Sequence, residues 1–167
     1  MTLVIPTQRL QLRLLSTEAV LARIEESSDA DRAEVSPQWL ARMRQSEPSA
    51  WTHGFEMVDA TTGQVVGSCA YKGPPDSDGT VEIAYGVQPE HRRRGYAKEA
   101  AAALVEFAFS AGAQLVRAHT RLDNDDSARV LVACGFERVG EVDDAEDGLV
   151  LRWDLSPSCP RPTPRAS

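Results

Sequence analysis

Cysteine is scarce: three residues in a chain of 167, Cys69, Cys134 and Cys159, widely spaced and odd in number. Such a set suggests neither a disulfide framework nor a zinc site, so reduced thiols and no metal are expected. Long apolar runs are missing too. No stretch reaches the roughly 18 residues of a membrane span, and Met1 to Pro6 has neither the basic start nor the apolar segment of a secretion signal, so a cytoplasmic chain with no membrane contact is expected. Positive charge is in deficit, with 18 Lys and Arg against 25 Asp and Glu and a formal net charge of −7. That balance argues against nucleic acid or anionic lipid as a partner and favours the approach of cations. Aromatics make up only 6%, and none beyond Tyr96 interleaves with the arginines as a nucleic-acid surface would require. His53, His91 and His119 stand apart and read as structural or peripheral. Two familiar phosphate signatures, G-x-x-x-x-G-K-[ST] and G-x-G-x-x-G, do not occur.

What is present suffices for one domain. A hydrophobic content of 42% builds one sizeable core at this length and leaves no room for a second. "RLQLRLLS" (Arg9 to Ser16) alternates with the two-residue period of a half-buried strand. Ser16 or Thr17 caps a following helix carrying Ala19, Val20, Leu21 and Ile24, which "SSDAD" breaks. Pro37 to Gln45 reads as a second short helix with Trp39, Leu40 and Met43 as its buried stripe. "WTHGFEMVD" (Trp51 to Asp59) and "QVVGSCAYK" (Gln64 to Lys72) flank a turn as two hairpin strands. "TVEIAYGV" continues the meander, with Val81, Ile83, Tyr85 and Val87 on one face and Glu82, Ala84 and Gly86 on the other. A long helix from Gly95 to about Gly112, the strand "AQLVRAHT", and a helix over Asp125 to Cys134, capped by Asn124 and closed by Gly135, come next. "FERVGEV" and "GLVLRWDL" are the last strands. Residues 1–155 thus form a single α+β domain, a central mixed and mostly antiparallel sheet of about seven strands with helices on both faces. Residues 156–167 are rich in proline and serine and read as a flexible tail.

The chain's positive charge gathers at "EHRRRGYAKEAAA" (Glu90 to Ala102), where a strand passes into a helix. A helix start presents unsatisfied N–H groups, and its dipole favours an anion there. Gly95 allows close backbone approach, Ala97 keeps the first turn uncluttered, and His91, Arg92, Arg93, Arg94 and Lys98 add side-chain charge. The arrangement reads as a polyphosphate site; taken alone, the arginines also read as a solvated turn.

"RRRGYA" (Arg92 to Ala97), between "VEIAYGV" and a long helix, resembles the [QR]-x-x-G-x-[GA] signature of GNAT-type N-acetyltransferases. "TQRLQLRLLS", "VEIAYGVQPEHRRRGYAKEAAAALVEFAF" and "NDDSARVLVACGFERVG" (Asn124 to Gly140) are similar, in order and spacing, to the ribosomal-protein-type (RimJ/RimL-like) branch, over about Thr7 to Leu155. The resemblance implies a GNAT-like fold and acetyl-coenzyme A as co-substrate. Its pyrophosphate would lie on the backbone around Arg93, Arg94, Gly95, Tyr96 and Ala97, with Arg92 and Lys98 beside it. Its pantetheine arm would run along Tyr85, Gly86 and Val87, where Gly86 is free to take a bulge.

In such a family an amine attacks the thioester directly, which calls for a base, an oxyanion donor and help for the leaving thiolate. A backbone N–H of Tyr85 to Val87 is the natural oxyanion donor. Glu82 is the candidate base; a strand glutamate paired with a cation is its structural alternative. Asn124 and Ser127 match the N-x-x-S element that contacts the coenzyme in this branch, Ser127 being the candidate acid, although both also serve as helix-start residues. A tyrosine acid is disfavoured because no tyrosine follows Tyr96, and Cys134 reads as core. The expected activity is acetyl transfer to a primary amine, of a protein N-terminus or a small molecule. The alternative is a non-catalytic acyl-coenzyme A-binding module of the same fold. A homodimer is compatible with either.

Overall fold

The computed structural model describes residues 3–144 and 148–157. One eight-stranded sheet runs in the order β1-β2-β3-β4-β5-β6-β8-β7. Its strands are β1 (Val4–Pro6), β2 (Leu10–Leu14), β3 (Phe55–Asp59), β4 (Val65–Tyr71), β5 (Thr80–Val87), β6 (Leu115–Arg121), β7 (Glu137–Asp144) and β8 (Gly148–Leu155). All neighbours are antiparallel except β5 and β6. The strand beyond the expected seven is β1, which pairs Ile5 with Leu12. Three residues ending in proline are too few to show an alternation, so its pairing comes from the neighbour rather than from its own pattern.

Serines set the helical region before β3. Ser16 accepts from the Ala19 N–H to start α1 (Thr17–Glu26). Ser28 then starts a new helix, α2 (Asp29–Glu34), by accepting from the Asp31 N–H, where the sequence reading had only a break. Ser36 starts α3 (Pro37–Gln45), which carries proline in its first turn. Of the expected stripe on α3 only Met43 is buried. Residues Trp51 to His53 form a turn, with the Thr52 and His53 N–H groups donating to the Ser49 carbonyl, so β3 begins at Phe55 rather than at Trp51. Trp51 instead packs its ring on Tyr71 and Phe107, at centroid distances of 4.7 and 5.8 Å.

The long helix α4 (Tyr96–Ser110) lies on one face of the sheet. Ala100, Ala101, Leu104, Val105 and Ala108 are completely buried there, in one cluster with Val81, Ile83, Val116 and Trp153. Alanines on the contact face bring the helix backbone close, and the larger side chains each contribute about 1.5–3 kcal/mol by burial. The Tyr71 hydroxyl donates to the Leu104 carbonyl, and Trp153 Nε1 donates to Thr120 Oγ1 at 3.0 Å, so polar atoms carried into this core are partnered. α5 (Asp125–Ala133) packs beside α4 and buries Leu131. The helices across the opposite face are different: α1 and α2 contain no buried residue. Val20 and Ile24 of α1 face a cavity rather than packed protein. No helix among the described residues is long and apolar enough to cross a membrane. Most of the expected tail, with Cys159, lies outside the described residues.

Candidate active site

β5 and β6 pair only at their beginnings, Thr80 to Glu82 against Leu115 to Arg117. β5 continues to Val87 and β6 to Arg121, so the strands part and leave backbone unpaired between them. The identity of the free groups follows from the β4 side. Lys72 N–H donates to the Glu82 carbonyl and Gln88 N–H to the Val66 carbonyl. Antiparallel bonding alternates, so Ala84 and Gly86 also bond toward β4, and past the last β6 pairing Tyr85 and Val87 turn their N–H and C=O groups into the gap. The Val87 carbonyl there accepts Arg92 Nε at 3.1 Å. The expected bulge at Gly86 is not found, because the β4–β5 register runs unbroken from Tyr71–Ile83 to Gly67–Val87. The gap comes from the departure of β6. At Gly67 a Cβ would sit 2.3 Å from the Gly86 carbonyl oxygen, so only glycine permits this approach of β4 to the edge of the gap.

Past β5, a single 3-10 turn (Pro89–His91) leads into Arg92–Gly95. Arg93 has φ 63° and Gly95 φ 82°, two successive departures into the left-handed region. Arg93 is the sole non-glycine residue there among the described residues, and such conformations persist where the surroundings impose them. The helix start at Gly95 has no side-chain cap, so the first amides of α4 remain open to a ligand. Glu99, one turn in, is occupied elsewhere: Thr7 Oγ1 donates to it at 2.7 Å, Arg9 N–H at 2.6 Å and Arg9 Nε at 2.9 Å. Burial pushes the Glu99 pKa up, but these hydrogen bonds together outweigh it and hold the carboxyl below its ordinary range. The Arg9 guanidinium also lies 4.9 Å from the centre of the Tyr96 ring, and the Tyr96 hydroxyl donates to Asp59 Oδ2 at 2.7 Å. Tyr96 is therefore anchored inward by its side chain and buried. The Arg92–Gly95 loop and the start of α4 rest on Thr7, Arg9, Asp59 and Glu99, none of which stands out in the sequence.

A cavity of about 450 Å³ opens in front of the loop and gap. Tyr85, Gly86, Val87, Arg92, Arg93, Gly95, Tyr96, Ala97, Lys98, Asn124 and Ser127 all line it. Arg94 alone of the expected coenzyme residues does not; its side chain reaches toward Tyr96. His91 also lines the cavity, and its buried Nδ1 has no hydrogen-bond partner. Asn124 Oδ1 accepts the Ser127 N–H at 3.0 Å, fulfilling the capping role. Ser127 Oγ lies 3.0 Å from the Tyr85 hydroxyl, which also reaches the Ser127 carbonyl at 3.3 Å. A tyrosine thus enters the site from β5, a route that a search for tyrosines after Tyr96 could not find. Burial pushes its phenol up to about 12, the Ser127 hydrogen bond opposing, so it stays protonated at neutral pH.

The second cavity, about 620 Å³, lies between the sheet and α1–α3, and it too is lined by Tyr85 and Gly86. The two cavities therefore meet at one segment of β5. Glu82 lines neither. Its Oε2 is 2.8 Å from Lys72 Nζ and its Oε1 is 3.0 Å from His119 Nδ1, the latter without the alignment of a hydrogen bond. His119 is thus not isolated in space. Among the described residues no group of three or more His, Cys, Asp or Glu side chains is placed to hold a metal ion.

Residues 8–137 match the family described as Acetyltransferase (GNAT) domain, and the chain belongs to that family. An uncharacterized N-acetyltransferase of Bacillus subtilis (strain 168), YjdG, is 34% identical over 89 residues, which is 51% of this chain and 53% of that protein. The chain thus spans about half the length of the curated relatives it matches. The fold is shared with RimL, a ribosomal L7/L12 alpha-N-protein acetyltransferase solved in complex with coenzyme A (TM-score 0.69, 16% identity, 92% of this chain and 98% of that one). It is likewise shared with the ribosomal-protein-S5-alanine acetyltransferase of Vibrio fischeri (TM-score 0.69, 17% identity, 96% and 100%).

Proposed function

We propose that this protein is an N-acetyltransferase of the RimJ/RimL-like branch, transferring the acetyl group of acetyl-coenzyme A to a primary amine of a protein N-terminus or a small molecule. The observation that carries the reading is the meeting of two cavities at Tyr85–Gly86, one backed by a phosphate-type helix start and the other open to a second reactant. The residues present fit the coenzyme. Uncapped amides at Gly95 to Lys98, the cations Arg92, Arg93 and Lys98, and the orphaned His91 Nδ1 suit its phosphates. The unpaired backbone of Tyr85 and Val87 suits the amides of its arm, and Asn124 and Ser127 stand at the far end.

Acetyl-coenzyme A, when bound, supplies an activated thioester. The chain's own groups do the rest. The Tyr85 and Val87 N–H groups, fixed by the β4 register, are the donors for negative charge developing on a carbonyl oxygen. Ser127 is the proton donor for a departing thiolate, regaining its proton from Tyr85 through their mutual hydrogen bond, and the Tyr85 phenol is in turn reprotonated from solvent. Glu82 shares its strand face with Ala84 and Gly86, which line the second cavity, and takes the amine proton through intervening water, since its carboxylate does not itself reach that cavity.

The test is thiol release from acetyl-coenzyme A against a panel of amines, beside thermal shift with the coenzyme and with dephosphorylated pantetheine. Release with at least one amine, and stabilisation by the coenzyme well above that by pantetheine, are expected. Equal stabilisation by both would remove the phosphate assignment. Coenzyme binding with no release for any amine would instead establish a binding module.

A further inference from the structure

The second cavity carries chemistry of its own. Val20 and Ile24 of α1, Val35 after α2 and Trp39 of α3 face Ala70 and Ala84 of the sheet across it. Since α1 and α2 bury nothing of their own, this wall stays uncovered until something apolar fills the space. The lining holds few charges: one arginine, which is paired, and one carboxylate. Arg23 Nη2 is bound to Glu56 Oε1 at 2.8 Å. Asp31 is the one carboxylate in the lining, and it accepts the Ser28 hydroxyl at 2.7 Å. His53 has Thr17 Oγ1 2.9 Å from Nε2 and Thr52 Oγ1 2.7 Å from Nδ1, and burial lowers its pKa, which favours the neutral ring. The acidity of the chain as a whole therefore reaches this cavity through Asp31 alone.

Taking this cavity as the acceptor side of the proposed reaction, we infer that it selects a primary amine attached to an apolar body, with the nitrogen at Tyr85–Gly86 and the body against Trp39, and that it discriminates against polyamines and other multiply charged amines. A second ammonium group driven among Val20, Ile24, Val35 and Trp39 would lose its hydration against apolar side chains, with the single exposed carboxylate of Asp31 in the lining to set against it. An aryl or branched alkyl group loses nothing and covers the exposed wall. The volume of about 620 Å³ falls within the ordinary range for small-molecule sites. A free arylalkylamine and a peptide beginning with an apolar residue share this chemistry.

Binding can be read without turnover, because Trp39 is the tryptophan of the cavity while Trp51 and Trp153 pack elsewhere. The full chain is titrated with 2-phenylethylamine, the amide of Phe-Gly-Gly, ethanolamine and spermidine, by calorimetry and by tryptophan emission, with Trp39→Phe as the control for the optical signal. One or both phenyl-bearing amines should bind at least about tenfold tighter than spermidine and ethanolamine, the size of effect that apolar complementarity supplies. Which of the two is tighter separates a small-molecule from a peptide source. Ala84→Leu should abolish that preference by filling the cavity, with coenzyme affinity unchanged. Ile24→Glu, on a helix with no buried residue and so tolerant of a charge, should shift the preference toward spermidine. Spermidine binding as tightly as the phenyl-bearing amines, or no amine binding at all, overturns the inference. Selective binding of a phenyl-bearing amine with no thiol release overturns the enzymatic reading and leaves the cavity's selectivity standing.

Discussion

Replacing Glu99 by alanine tests how the Arg92–Gly95 loop is held. Its carboxylate is only 15% exposed and accepts three hydrogen bonds, from the Thr7 hydroxyl, the Arg9 amide and the Arg9 guanidinium. Hydrogen bonds to a charged group contribute about 1.5–3 kcal/mol each, but three on one carboxylate do not add fully, and Thr7 retains its bond to the Leu10 carbonyl, so a net loss of about 3 kcal/mol is expected. With an unfolding entropy of roughly 2.1 cal/mol/K per residue, a chain of this length has about 0.35 kcal/mol/K, and the melting temperature should fall by about 9 °C at pH 7. The pH dependence has a definite sign. The native pKa of Glu99 is depressed, so its contribution is complete above the ordinary carboxylate value of about 4.3 and is lost as pH falls through the lower native value. Melting curves of wild type and Glu99→Ala, followed by circular dichroism down an acid series, should therefore converge at the acid end. Coenzyme affinity should drop as well, since Arg9 would no longer be fixed against Tyr96. A difference in melting temperature below about 2 °C at pH 7, or one that persists unchanged into acid, would refute the reasoning.

Gly95→Val should reduce coenzyme affinity far more than stability, because φ 82° and a Cβ contact of 3.0 Å with Arg9 Nη2 deform the loop itself; calorimetric titration beside a melting curve separates the two effects. Glu82→Gln should lower turnover by about a hundredfold or more with a lysine-like acceptor and by less with an α-amine, the deficit shrinking as pH rises and solvent supplies neutral amine. A pH–rate profile equal to wild type would take Glu82 out of the reaction. Tyr85→Phe should leave coenzyme affinity within about threefold and lower turnover by about tenfold or more, with coenzyme titration and steady-state rates as the readouts. Cys69, whose thiol burial pushes up to about 12, should resist iodoacetamide in the folded chain at pH 8, and peptide mapping that found it modified would contradict its placement.

The elements that carry their own signal were legible in the sequence. The alternation of β2 and β5, the apolar spacing of α4, and the caps at Ser16 and Asn124 all stand where the residues indicate. The charge reversal at Arg92 to Lys98 marked one wall of a cavity, because a basic run at a helix start is written in consecutive residues. What escaped depends on distant partners. Glu99 reads as an ordinary first-turn helix acid until β1 and β2 place Thr7 and Arg9 beside it, some 90 residues away in the chain. Tyr85 is expected along the coenzyme arm, but its hydroxyl has no visible partner until α5 brings Ser127 under it. Trp39 reads as the buried stripe of its helix because periodicity reports an apolar face, not whether protein or ligand covers it. Ser28 belongs to the same class, since Ser27 closes one helix and Ser28 directly opens the next.

The short pairing of β5 with β6 has a mechanical consequence. Strands β1–β5 and β6–β8 are two plates whose backbones pair over only three residue pairs, with α4 packed across both and the rest of the seam left open. A ligand that bears amides and lies in that opening completes the ladder, so it works as a removable strand. Hydrogen exchange should then show the free chain opening along the seam, with the β6–β8 plate able to part from its neighbour below the cost of global unfolding. With the seam filled, the two plates should exchange as one cooperative unit, and the largest gain in protection should fall on the amides of Tyr85 and Val87, far from any phosphate.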